Sequence, residues 1–434
     1  MDKMADVLGR AGAWCGQNKY LSAIKNAFQN FMPLTIAGAI GVLWCNVLVN
    51  DQTGLGLFFK PIMALDFLNP AFQAVNFCTI SCITVGITLG IAQEIGVWNM
   101  GAEKAGYIPG LVGLAAWLSV TNTSHMVEGA KEAFTGIAGN ELGATGLFTG
   151  MIIGVLSVEL FCFFEKQDAL KIKMPEQVPP GVARAFEVLV PATITLIITA
   201  CIGSACYNLT GLYLNDVIKN GIQGPLGAVG ATIPGVMIIY LVIMLFWLVG
   251  IHGNNMLSAV KEALFTPLAL ENVEKFNKGE KPTNIINMYA LQMWGEFGGS
   301  GVTIGLVIAI MIFGKREDNK AIATLSLVPG LFNINETVTF GVPMVLNPIL
   351  GIPFVFACLV TILVGYVLTV IGFCPVACLT VPWTTPPIVF GFLACGANVM
   401  GAVTQAILIV VSTVIYTPFL ISYEKYQNKQ AAEA

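Results

Sequence analysis

Charge is scarce in this chain: of 434 residues only 11% are Asp, Glu, Lys or Arg, whereas 56% are hydrophobic. Soluble domains carry about 25% charged residues, so an ordinary water-exposed globular fold is excluded. A basic excess is lacking too, with 21 Lys and Arg against 25 Asp and Glu, which sets aside nucleic acid as a partner. Histidine is reduced to two residues, His125 and His252. No Walker loop, zinc-ligand spacing, Ser-His-Asp arrangement or flavin fingerprint occurs. Neither a metal nor a cofactor is therefore expected, and an ATP-driven pump is not contained in this chain alone. The 11 cysteines form no C-x-x-C pair and lie mostly in apolar runs, as Cys78, Cys82, Cys374 and Cys378 do; they read as small hydrophobes of helices. A cleavable signal peptide is not expected either, because the first residues mix Asp2, Lys3, Asp6, Arg10, Lys19 and Lys25 with apolar ones. That segment reads as a short amphipathic helix lying on the inner membrane surface.

Long apolar runs, by contrast, are abundant. A membrane-spanning helix needs about 20 predominantly apolar residues, and candidates lie at 28–49, 74–95, 107–120, 142–164, 188–207, 229–250, 345–372 and 390–421. The fold predicted is all-α and polytopic. These runs hold many of the 46 glycines and 21 prolines, which membrane helices tolerate where neighbours satisfy the freed backbone groups, a texture that suits a transporter better than an anchor. Lys104 and the group Lys166, Lys171, Lys173 and Arg184 alternate correctly for cytoplasmic loops. Both termini are then predicted to be cytoplasmic, with Lys425 and Lys429 near the end. The polar segment 165–187, which contains MPEQVPPG, divides an N-terminal bundle (1–187) from a C-terminal half (188–434).

The C-terminal half has apolar runs broken by polar residues, Gly and Pro in IHGNNM, MWGEFGGSG, LFNINETVTFG and VPWTTPP. The stretch 252–282, with Lys261, Lys275, Lys278 and Lys281, and the run KREDNK at 315–320 read as cytoplasmic. About thirty residues separate them, too few for two full spans. Either a re-entrant hairpin around 298–301 or a single span with a reassigned loop resolves this. A second re-entrant element is predicted at 325–343. Irregular backbone at membrane depth must be buried in protein or line a cavity, and such breaks point to a transporter's substrate site.

Within these breaks lie the candidate site residues. His252 opens His-Gly-Asn-Asn after a long apolar run; it either caps the C-terminus of that helix or joins Asn254 and Asn255 in binding a polyol. Glu336 lies with Asn333 and Asn335 in LFNINETVTFG, where a charge costs about 2.5 to 3.5 kcal/mol on insertion scales. It is either a buried acid held by backbone amides or a carboxylate that accepts a bond from a sugar hydroxyl and orients it, or takes its proton, during phosphoryl transfer. Glu296 in WGEFGGSG is a third intramembrane acid, for a turn or for substrate. Trp383 in VPWTTPP and Trp247 are candidates for stacking on a sugar ring or for the interfacial belt. Asn140, beside Gly139, either reaches a cavity mouth or is a plain loop residue, and His125 reads as a loop histidine.

Taken together, GIHGNNM, FNINETVTFGVPMVLNPILGIPF and VPWTTPP resemble the membrane-embedded enzyme IIC component of the bacterial phosphoenolpyruvate-dependent phosphotransferase system, in its lactose, cellobiose and diacetylchitobiose family. The likeness covers essentially the whole chain. Thr337 follows Glu336 where family members often have proline. The resemblance implies ten transmembrane helices, two re-entrant hairpins and a homodimer held by the N-terminal bundle in the bacterial cell membrane. It also implies that a separate cytoplasmic enzyme IIB, phosphorylated on cysteine and served in turn by enzyme IIA, delivers phosphoryl to the sugar's 6-hydroxyl. By motif match, His252 and Glu336 would hold the sugar near that hydroxyl.

A β-linked disaccharide is the expected substrate, diacetylchitobiose before cellobiose and lactose. It would bind between the two re-entrant elements and be trapped by the added phosphoryl charge. Two rivals are an ion-coupled secondary sugar transporter using Glu296 or Glu336, and a membrane enzyme acting on a lipid-linked sugar with Glu336 and His252 as acid and base.

Overall fold

The computed structural model describes residues 14, 17–51, 56, 59–125, 134–175, 177–225, 230–342, 344, 345 and 347–433. The amphipathic helix expected at the N-terminus falls largely outside them. Most of the described residues are helical, and the one sheet among them is an antiparallel bridge of β1 (Ser124–His125) with β2 (Phe134–Thr135). Among the described residues five helices are long and apolar enough to cross a membrane, and up to seven spans result if two bent helix pairs each count as one. Two shorter apolar helices accompany them.

The chain divides into two compact units, one of residues 17–38 and 74–227, the other containing 39–73 and 228–434. In the first, α1 (Lys19–Leu43) leads on to α2 (Ile83–Met100), α3 (Ile108–Val120), α4 (Ala144–Glu165) and α5 (Pro180–Thr210). Ile83, Ile87, Ile91 and Ile95 recur every fourth residue along α2 and are all buried, since that spacing keeps one helical face turned inward. α2 packs on α3 and α4, and α5 closes against both.

The polar segment 165–187 lies inside this unit. Glu165, buried at the end of α4, pairs with Lys104 Nζ at 2.8 Å and Arg184 Nη1 at 3.0 Å. The polar segment is thereby fastened back to the bundle, and α5 stays with the helices before it.

The second unit is built from shorter pieces. In order they are α6 (Ile233–Leu248), α7 (Gly253–Met256), α8 (Ser258–Asn277), α9 (Met288–Gly295) and α10 (Ile304–Phe313). They continue as α11 (Glu317–Leu331), α12 (Glu336–Gly341), α13 (Gly351–Val370), α14 (Val389–Ala394) and α15 (Val399–Glu433). α13 packs against α6, α9 and α15, and α10 lies along α15.

Several sequence expectations shift here. The run 252–282, read as a cytoplasmic stretch, contains the 20-residue helix α8, and Lys261 on it is buried. The expected span at 390–421 is broken between α14 and α15, where Gly396 and Ala397 take positive φ. From α15 the Gln405 side chain reaches the start of α14, where its Oε1 accepts from Ile388 N and Gly391 N, each at 2.7 Å. α9 and α10 are bent by 59° at their break, where the 298–301 hairpin was expected. The second expected element, 325–343, is the helix–turn–helix of α11 and α12, with Pro343 outside the described residues.

Candidate functional site

The break after α6 sets the first half of the site. Gly250 turns the chain at φ 81°, and His252 then caps the N-terminus of α7 rather than the C-terminus of α6: its Nδ1 accepts from Asn255 N at 3.2 Å. A ring nitrogen that accepts carries no proton, so the neutral imidazole holds its hydrogen on Nε2. The ring is also held from behind. Trp247, the buried penultimate residue of α6, lies 4.5 Å from it centroid to centroid, and Phe354 of α13 meets Trp247 edge-on at 6.5 Å. Trp247 is thus placed to orient His252.

The second half is the turn between α11 and α12. Asn333 takes φ 62°, a left-handed conformation that asparagine tolerates better than most residues. Its Oδ1 accepts from Gly298 N at 2.6 Å, and its Nδ2 donates to Trp383 O at 2.5 Å and Thr385 O at 3.1 Å. One side chain therefore ties together the α9–α10 turn, the α12 entry and the VPWTTPP segment. Glu336 is the first residue of α12, where free N–H groups favour a negative charge.

His252 Nε2 and Glu336 Oε1 face each other at 3.9 Å, with side chains 38% and 48% exposed. That separation exceeds a direct hydrogen bond. It leaves a donor N–H opposite an acceptor oxygen, and a single hydroxyl oxygen at about 2.8 Å from each atom fits between them geometrically.

Behind the pair runs a buried polar chain. Glu296, on the α9–α10 turn, pairs with Lys261 and accepts from Tyr240 Oη at 2.7 Å. Lys261 Nζ donates to Asn254 Oδ1 at 3.1 Å, Asn254 Nδ2 donates to Ser300 Oγ at 2.8 Å, and Ser300 O accepts from Asn335 Nδ2 at 2.8 Å. The turn carrying Ser300 is glycine-dependent. A Cβ on Gly299 (φ 87°) would lie 2.6 Å from Asn335 Cβ and Cγ, and one on Gly301 (φ 77°) 2.4 Å from the Phe354 ring.

Of the sequence candidates, His252, Glu336, Asn254, Asn335, Glu296 and Trp247 are brought together in the second unit. Asn255 is exposed and supplies its backbone N–H, and Trp383 is 44% exposed with its carbonyl held by Asn333. Asn140 lies exposed in the one-turn helix Gly139–Leu142 of the first unit. His125 is in the β1–β2 bridge against Phe134, with Asn122 Nδ2 3.5 Å from its Nδ1. Lys261, Tyr240, Ser300 and Asn333 are additional members. Asn333 sits in the NINET motif and Ser300 in MWGEFGGSG; Lys261 and Tyr240 carry no local signal. Among the described residues, no three His, Cys, Asp or Glu side chains are grouped to hold a metal.

Broken apolar helices that converge polar side chains on an open donor–acceptor pair are the architecture of a membrane transporter. The sequence profile of the phosphotransferase system EIIC family matches residues 25–358, and the chain belongs to that family. It is 33% identical over 429 residues to the PTS system oligo-beta-mannoside-specific EIIC component of Bacillus subtilis (strain 168), covering 98% of this chain and 94% of that protein. The PTS system cellobiose-specific EIIC component of Lactococcus lactis subsp. lactis (strain IL1403) is 28% identical over 98% of each chain. The crystal structure of the transporter ChbC, the IIC component from the N,N'-diacetylchitobiose-specific phosphotransferase system, superposes with a TM-score of 0.88 at 29% identity, covering 97% of both chains.

Proposed function

We propose that this EIIC protein binds a neutral β-linked disaccharide and presents its 6-hydroxyl between His252 and Glu336 for phosphorylation. The observation that carries the reading is the 3.9 Å gap between an imidazole N–H and a carboxylate oxygen. A hydroxyl is at once an acceptor and a donor; it accepts from Nε2 and donates to Glu336. As phosphoryl transfer proceeds the hydroxyl proton must leave, and Glu336 is in place to take it. Trp383, half-exposed on the same unit, offers a face for a sugar ring, and Asn255 offers an amide to a further hydroxyl.

Diacetylchitobiose is the favoured sugar, ahead of cellobiose and lactose; the similar proteins named for diacetylchitobiose and for cellobiose support β-linked disaccharides as a class. The phosphoryl donor is a cytoplasmic enzyme IIB carrying phosphocysteine, recharged through enzyme IIA. Both termini lie in the cytoplasm, ten spans and two re-entrant hairpins make up the membrane part, and the N-terminal bundle forms the scaffold and homodimer interface, while the C-terminal half binds the sugar.

The test is uptake of labelled disaccharide by cells with and without the phosphoryl-carrier proteins. Intracellular sugar phosphate that disappears with the carriers is the expected result. Continued accumulation of unmodified sugar, abolished by an ionophore, would instead establish ion-coupled transport.

A further inference from the structure

Lys261 and Glu296 stand one layer behind the sugar-binding pair, and nothing in the proposed chemistry uses them directly. Lys261 is 6% exposed, and its ammonium is satisfied by the Glu296 carboxylate, by Asn254 Oδ1 at 3.1 Å and by the Tyr240 ring face at 5.5 Å. An ion pair in an apolar interior gains little over well-packed hydrophobic side chains of similar size, so adhesion between α8 and the α9–α10 turn does not require one. What a charged pair supplies and leucines do not is direction. Lys261 Nζ fixes which face of the Asn254 amide is oxygen, and the nitrogen is thereby aimed at Ser300 Oγ. The same residue's carbonyl takes the amide of Asn335. His252 lies two residues before Asn254 and Glu336 one residue after Asn335, so the two sugar-binding groups hang from opposite ends of one hydrogen-bonded chain.

We infer that Lys261 and Glu296 are positioning residues that set the His252–Glu336 spacing through Asn254, Ser300 and Asn335, and so tune affinity for the sugar hydroxyl without touching it. The inference rests on the proposed sugar site. Tyr240 Oη, which donates to Glu296 at 2.7 Å, anchors the far end of the chain to α6.

Calorimetric titration of the purified full-length protein with diacetylchitobiose, cellobiose and lactose separates the two levels. If the wild type binds none of these, the functional reading fails first. Given wild-type binding, two variants test the inference: Lys261→Met, and the double variant Lys261→Met/Glu296→Gln, which leaves no unpaired buried carboxylate and keeps an acceptor for Tyr240. Both are expected to raise Kd about tenfold at unchanged binding stoichiometry, with the double variant retaining the wild-type thermal midpoint. Because the effect runs through Asn254, adding Lys261→Met/Glu296→Gln to Asn254→Ala should change Kd by less than about twofold relative to Asn254→Ala alone. A double variant with wild-type Kd would overturn the inference. So would effects that multiply in the cycle, or a loss of stoichiometry in step with the thermal midpoint, the mark of a purely structural pair.

Discussion

The two compact units put their polar groups to different uses. In the first, hydroxyls turn back on their own helices: Ser157 Oγ donates to Ile153 O at 2.6 Å, Thr195 Oγ1 to Pro191 O at 2.8 Å and Thr199 Oγ1 to Thr195 O at 3.0 Å. Its acids are met by cations or amides, as in Lys19 with Glu159 at 2.6 Å and Asn26 with Glu94 at 2.9 Å. In the second, amides bridge separate elements, and one acid with one imidazole faces an open gap. Long unbroken helices need nothing from neighbours to satisfy their backbone, so they make a scaffold. Broken helices free backbone groups that must be met by side chains, and those side chains are then fixed closely enough to hold a ligand.

That contrast is broken most severely by removing either side of the gap. Glu336→Gln is expected to weaken disaccharide binding roughly 100-fold, the size of a lost hydrogen bond to a charged group, and His252→Ala somewhat less, because its bond to the hydroxyl joins neutral groups. His125→Ala should bind as the wild type does, and isothermal titration of all three would show whether the pair is the site. Next in size is Gly299→Ala. The added Cβ meets Asn335 at 2.6 Å in a backbone conformation with φ 87°, displacing the residue that precedes Glu336. A loss of affinity of about thirtyfold together with a lower thermal midpoint is expected, from strain of about 1 to 3 kcal/mol.

How far the sequence reveals this division depends on whether the signal is local. The uninterrupted run 142–164 coincides with α4 to within two residues and 188–207 lies wholly inside the longer α5, because hydropathy alone decides the apolar part. GIHGNNM and NINET mark the breaks correctly, since polar residues inside apolar sequence demand a partner. Pairings at long range leave no such mark. Lys261 reads like Lys275, Lys278 and Lys281, and only the fold brings Glu296, 35 positions on, against it. Arg184 resembles a loop charge in the same way, although it pairs with the buried Glu165 and fastens the start of α5 to the end of α4. Asn333 looks like a ligand amide beside Glu336, yet it fastens the turn to Trp383 and Thr385 through its own side chain. The stop at 395–398 is hidden for the same reason: the Ala394 carbonyl at the end of α14 accepts from Cys378 N and Leu379 N, on a segment distant in sequence.

A smaller effect is expected at Trp383, where stacking rather than hydrogen bonding is at stake. Trp383→Ala should raise Kd about tenfold and Trp383→Phe only two- to threefold, in line with roughly 0.5 to 1.5 kcal/mol for an aromatic contact. Equal losses in both variants would mean that the indole N–H, not its face, meets the sugar.

The smallest effect on binding belongs to the scaffold, where the contrast is sharpest. Arg184→Ala removes one of two cations from Glu165, whose side chain is 1% exposed, and leaves Lys104, itself 46% exposed, as the other. Breaking a buried pair costs several kcal/mol when the remaining charge is stranded; with Lys104 still in place the loss should be nearer about 2 kcal/mol, read as a thermal midpoint several degrees lower. Disaccharide Kd should stay at the wild-type value, because the residues that meet the sugar hydroxyl take none of their bonds from Arg184. If affinity falls along with stability, the first unit shapes the site as well as supporting it, and the separation of scaffold from site drawn from the two patterns of hydrogen bonding does not hold.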